Sequence, residues 1–265
     1  MEKTQKKYTT FLIGIGLIFF GSVAGILTYQ EATSEGASNS TKMLYALSLI
    51  TATLGIIAAT SGIHSFAVSK AAQKPDTKTL AQAALCAALC YIGFTFFKID
   101  IPVGTEKTAI HFGNIFCVLA ALFIGGFWGG MAGAVGMTIA DLTTSYITSA
   151  PKTFILKLCI GLIVGFVAHK ICKLSAEHSK KYLTLTTIGA SLAGMLFNVV
   201  ADPLVGYLYK TYLLGIPQDV TKVLAKIGTA TTAVNAVTTV FIASFLYLTL
   251  RPALKKAELF VTIHS

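Results

Sequence analysis

The chain has 265 residues, of which 54% are hydrophobic and only 12% charged, with a formal net charge of +10. Soluble domains carry about 25% charged residues, so this composition excludes a disordered chain, a nucleic-acid module and an ordinary soluble enzyme. A mean hydropathy of +0.73 points instead to an all-α polytopic membrane protein. Arg251 is the sole arginine among 21 cations, a balance that suits loops on an anionic lipid surface better than bidentate phosphate reading.

A helix needs about 20 mostly apolar residues to cross a bilayer core. In chain order, the first span is expected over about 8–29; its basic flank lacks a cleavage-type ending and reads as an anchor. A second span covers about 43–68. The basic linker at 70–78, with Pro75 inside it, is the best domain boundary, giving two N-terminal transmembrane helices in 1–73 and a six-helix domain in 74–265. That domain opens with a span over about 79–97, followed by a polar segment at 98–110 that reads as a loop. The stretch 112–144 is too long for one span, and the Gly-rich break at 125–130 divides it into two helices joined by a tight turn. Pro151 opens the next helix at a first-turn position, running to about Cys172. A basic loop, a span over about 183–213 interrupted by Pro203, and a last span over about 223–250 complete the count of two plus six. With the N-terminus inside, 13 of the 21 cations fall on inside segments, so the positive-inside rule places both termini in the cytoplasm. Continuous apolar runs exclude a transmembrane β-barrel.

Polar residues inside spans are costly and mark cavities or partners. They are Asn114, Asp141, Lys157, Asn198, Asp202 and Asn235, all in the C-terminal six helices. Asp141 and Lys157 lie at similar depths on consecutive helices, where they can either pair across the hairpin or line a pocket for a polar small molecule. Asn198 and Asp202 share a helix face at i,i+4, beside the carbonyl that Pro203 frees. They fit a ligand-site wall or interhelical polar glue equally well. Asn235 is a lone amide, as well suited to packing as to ligand contact. His111 reads as a cap or water contact, and Tyr146, beside Asp141, as a ring for stacking. Ala83 and Ala87, and Ala84 and Ala88, are spaced i,i+4 and permit close helix approach, either within the bundle or to a second membrane subunit. The Gly-rich run 129–136 offers similar faces.

Five cysteines lie in or beside apolar runs without a paired spacing and read as small buried hydrophobes, with neither disulfide nor metal site expected. There is no Walker-type phosphate loop, no zinc-protease motif and no nucleophile elbow. No catalytic residue and no cofactor are expected, and an ATPase powering this chain would be another polypeptide.

Residues 79–250 resemble the substrate-binding S component of an energy-coupling factor (ECF) vitamin transporter, in the riboflavin-type family that also includes proteins assigned to pyridoxine and hydroxymethylpyrimidine. The resemblance rests on Ile-His-Phe-Gly-Asn followed by an apolar run at 110–126, on the Gly-rich helix ending Ala-Asp-Leu at 133–142, on Ala-Pro-Lys-Thr-Phe-Ile-Leu-Lys at 150–157, and on Asn235 in the sixth helix. Asn114 stands where the family usually has Asp, and Leu158 where it usually has Gly. The two N-terminal helices lie outside the family's six-helix core. The resemblance implies a multi-pass protein of the bacterial plasma membrane that binds a vitamin-like molecule at its outer face. Asn114, Asp141, Tyr146, Lys157, Asn198, Asp202 and Asn235 are the expected substrate-binding residues, with 98–110 as lid. Ala83, Ala84, Ala87 and Ala88 would dock on a transmembrane T component carrying two ATPases. The other readings are a self-sufficient proton-coupled transporter using Asp141 or Asp202, and, least favoured, an intramembrane enzyme.

Overall fold

The computed structural model describes residues 77–104, 106–261 and 263, together with scattered positions between 9 and 55. The spans expected over 8–29 and 43–68 therefore fall largely outside the described residues. The continuous part is all-α apart from one hairpin. Helix α1 is Thr77–Thr95. Strands β1 (Lys98–Val103) and β2 (Glu106–His111) follow. Helices α2 (Gly113–Ile124), α3 (Gly126–Thr143), α4 (Ala150–Gly165), α5 (Lys180–Leu208) and α6 (Gln218–Lys256) complete the chain order. Helices α4 and α5 each continue into a π-helical turn, Phe166–Ile171 and Tyr209–Leu213.

Four of these segments are long and apolar enough to cross a membrane: Thr77–Thr95, Ile147–Ile171, Lys180–Leu213 and Gln218–Lys256. Their outer faces are what a lipid solvent requires. On α5, Leu185, Leu192, Leu196, Val200 and Leu204 are exposed, and on α6 Val234, Val237, Phe241 and Phe245. In water such stripes would be a large apolar liability; beside acyl chains they are matched. The chain is therefore a polytopic membrane protein. The α2–α3 stretch differs from the expected pair of full spans. With 12 residues, α2 is only about 18 Å long at 1.5 Å per residue. It is the central element, with Asn114, Cys117, Val118 and Leu122 at or near zero exposure. Gly125 makes the turn to α3 at φ 85°, a left-handed conformation that glycine adopts without steric cost.

Helix α3 is held by glycine. A Cβ on Gly161 of α4 would lie 2.1 Å from the Gly130 Cα, one on Gly165 2.2 Å from the Gly126 Cα, and one on Gly136 2.1 Å from the Ala87 carbonyl oxygen. The Gly-rich run is thus an internal packing seam. Gly161→Ala forces backbone against backbone; overpacking costs about 1–3 kcal/mol, read as an earlier thermal unfolding midpoint in detergent. The same seam corrects the docking expectation. Ala83 is buried and Ala87 backs onto Gly136, whereas Ala84 and Ala88 face outward.

Three further expectations are revised. The 98–110 segment is an antiparallel hairpin, registered Lys98↔His111 to Val103↔Glu106, because Ile99, Ile101 and Val103 alternate with Asp100 and Pro102. Helix α5 runs through Pro203, and α6 through Pro252 to Lys256, without ending. The sole arginine, Arg251, is buried, and its Nη2 donates to the carbonyls of Leu174 and Ala176 at 3.3 and 2.8 Å. It fastens the α4–α5 connection to α6. All five cysteines are free.

Candidate functional site

A cavity of about 120 Å³ lies at the end of the bundle that carries the hairpin. It is walled by the C-terminal end of α3, the first two turns of α4, the distal half of α5, the first half of α6 and the face of β2. All seven residues singled out in the sequence line it: Asn114, Asp141, Tyr146, Lys157, Asn198, Asp202 and Asn235. The reason is local. Asn114 sits at the start of α2 and Asp141 near the end of α3. Pro151 starts α4, so Lys157 falls about two turns in. The i,i+4 spacing of Asn198 and Asp202 turns both toward the same wall.

Of the two arrangements open to Asp141 and Lys157, pairing across the hairpin or lining a pocket, the structure shows both residues in the cavity lining. Among the described residues, Asp141 and Lys157 form no ion pair with each other. Lys152 instead reaches Asp202 at 2.5 Å, and Thr232 donates to the other Asp202 oxygen at 3.3 Å. Lys210 pairs with Glu106 of the hairpin. Lys152, Lys210, Glu106 and Thr232 were not singled out in the sequence. Lys152 lay inside the quoted 150–157 stretch, but its partner is 50 residues away and no local spacing announces it.

Among the described residues neither Lys157 nor Asp141 has an ion-pair partner, and they are 6% and 2% exposed respectively. Asp141 Oδ2, Asn114 Oδ1, Asn198 Oδ1 and His111 Nδ1, all on residues lining the same cavity, are buried with no hydrogen-bond partner among the described residues. Buried polar groups are nearly always satisfied, and each orphan costs about 1–3 kcal/mol. Four orphans on residues lining one cavity mark a place where a guest molecule or ordered water completes the bonding. The arrangement offers an ammonium donor, a carboxylate acceptor, two amides and an imidazole, which can orient a small polar ring. It offers no nucleophile–base pair, and no cluster of three metal-ligating side chains occurs among the described residues.

Two expected ligand contacts carry other duties. The Tyr146 hydroxyl donates to Asp100 Oδ1 at 2.8 Å, while the Lys98 and Lys107 ammoniums lie 4.7 and 5.4 Å from its ring centroid. Partial burial alone would raise the Asp100 pKa; the Tyr146 hydroxyl, Lys98 and Lys107 outweigh it and hold the carboxyl below its ordinary value. Tyr146 thus ties the hairpin to the α3–α4 connection. Asn235 uses both ends of its amide on β2: Nδ2 donates to the Ala109 carbonyl at 3.0 Å, and Oδ1 accepts from the His111 amide at 2.9 Å.

Fold and cavity together define a polytopic membrane protein with a polar pocket at one end of its bundle. Residues 74–252 match the family described as ECF-type riboflavin transporter, S component; the chain belongs to that family. A 72-residue stretch is 35% identical to a Pyrococcus woesei chain described as an uncharacterized protein in gap 3'region, covering 27% of this chain and 48% of that one. The chain thus spans about half the length of that curated relative. No solved structure matches.

Proposed function

We propose that this chain is the substrate-capturing subunit of an ECF-type importer. It takes up a vitamin or vitamin precursor of the riboflavin, pyridoxine or hydroxymethylpyrimidine class at the outer face, for ATP-driven import by a T component and two ATPases. The observation that carries this reading is the set of orphaned polar atoms on residues that, together with Lys157, line one pocket. Its volume of about 120 Å³ is below the roughly 300–1,000 Å³ typical of drug-sized ligand pockets, which favours the compact single-ring end of the class. Residues 74–265 form the capturing domain, preceded in the sequence by two further transmembrane helices. Both termini are cytoplasmic, which puts the hairpin outside as a lid.

The exposed Ala84 and Ala88 are the surface for the T component. Ala84→Trp is expected to leave ligand binding within about twofold and to abolish co-purification with the T component. Normal co-purification would remove that face from the interface. The function itself is tested by uptake into vesicles. Uptake should require the T component, the ATPases and ATP, and should survive collapse of the proton gradient. Uptake by the chain alone, abolished by an uncoupler, would contradict it.

A further inference from the structure

The hairpin poses a physical problem. A two-stranded sheet is marginal on its own, and among the described residues no third strand accompanies β1 and β2. Its sequence does not compensate: Pro102 has no backbone donor, and the turn is made at Gly104 with φ 63°. Something must hold the hairpin against the helices.

Asn235 occupies that place. A carboxamide carries one carbonyl acceptor and an N–H donor in a plane, the same groups as a peptide unit. Ala109 and His111 are two apart on β2, so the carbonyl of one and the amide of the other lie on one strand edge. Asn235 bonds both, at 3.0 and 2.9 Å, and is itself 4% exposed. One helical turn earlier on α6, Thr231 Oγ1 lies 3.0 Å from Thr108 Oγ1, and toward the turn Glu106 meets Lys210. Of these three anchors, Asn235 alone engages the β2 backbone.

We propose that Asn235 is a positioning residue whose amide substitutes for a third strand, and that it sets how often the hairpin opens over the cavity. Hairpin opening gates exit of a bound molecule, so Asn235 governs how long the molecule stays more than how fast it arrives. Only this gating part rests on the ligand reading of the cavity; the clamp does not.

The test has two arms on the full chain in detergent. The first is hydrogen exchange of the 98–111 amides without ligand. Asn235→Ala is expected to speed exchange there about 10- to 100-fold, the effect of two lost buried hydrogen bonds, with α2 and α4 amides unchanged. Asn235→Asp keeps the acceptor for His111 but loses the donor to Ala109, so it should fall between. It also serves as the second variant should Asn235→Ala not fold. Equal hairpin exchange in wild type and both variants would overturn the clamp. The second arm measures association and dissociation rates of riboflavin, pyridoxine and 4-amino-5-hydroxymethyl-2-methylpyrimidine. Asn235→Ala should raise the dissociation rate about 10-fold or more and change the association rate less than threefold. A Thr108→Cys, Thr231→Cys pair, oxidised after loading, should restore retention in the Asn235→Ala background, and reductant should remove it. Faster hairpin exchange with unchanged dissociation would overturn the gating role. Faster exchange with none of the three probes bound by wild type would leave the clamp standing and count against the proposed function.

Discussion

Lys157→Met should lower affinity for the captured molecule by about 10- to 150-fold while the empty protein becomes no less stable than wild type. A hydrogen bond to a charged group contributes about 1.5–3 kcal/mol, which converts to that range of dissociation constants. Lys157 is 6% exposed, and among the described residues no carboxylate pairs with it. A buried lysine with no direct ion pair carries a desolvation burden in the empty state, and methionine fills similar space without the ammonium. Binding and stability therefore move in opposite directions, a signature that a purely structural lysine does not give. Titration calorimetry and thermal unfolding of the empty chain read the two quantities. Unchanged affinity would remove Lys157 from the site.

The second large effect concerns the Lys152–Asp202 pair. Lys152 lies in the first turn of α4, Asp202 just before Pro203 in α5, and Thr232 on α6, so the 2.5 Å ion pair and the 3.3 Å hydroxyl contact join three helices at the cavity rim. The side chains are 13% and 28% exposed. Removing one partner of a buried pair costs about 3–5 kcal/mol. Partial exposure discounts this, so about 2–3 kcal/mol is expected for Lys152→Met or Asp202→Leu alone. The double variant should recover most of the loss, since neither charge is then stranded. A thermal double-mutant cycle measures the coupling; additive losses would show that the pair contributes nothing as a pair.

Much of this was legible in the sequence because membrane burial makes polarity conspicuous. Every polar residue that the sequence places inside a span lines the cavity, since an Asn or Asp inside an apolar run has few alternatives. The Pro151 helix start was legible from the fixed φ of proline, and the Gly-rich break expected over 125–130 narrows to Gly125, with 126–130 already helical. What was not legible is pairing between distant segments. Asp141 and Lys157 stand on adjacent helices without pairing, and the ion pair of Lys152 with Asp202 depends on how α4 and α5 pack. The hairpin was hidden by its polarity, although Ile99, Ile101 and Val103 carried the period of two. Pro203, expected to interrupt its span, sits inside a continuing helix, where tertiary packing outweighs one lost backbone bond. The small-residue faces were ambiguous as a class. The contact of Gly136 with Ala87 turns half of the alanine set inward and leaves Ala84 and Ala88 outside.

On the proposed function, the cavity lined by Lys157 and Asp141 holds a compact vitamin-like molecule. Native mass spectrometry of the purified chain, followed by extraction and identification of what it carries, tests this most directly. One small polar heterocycle per chain is expected, greatly depleted from Lys157→Met prepared in the same way. A wild-type chain that carries nothing and binds none of riboflavin, pyridoxine or 4-amino-5-hydroxymethyl-2-methylpyrimidine would contradict it.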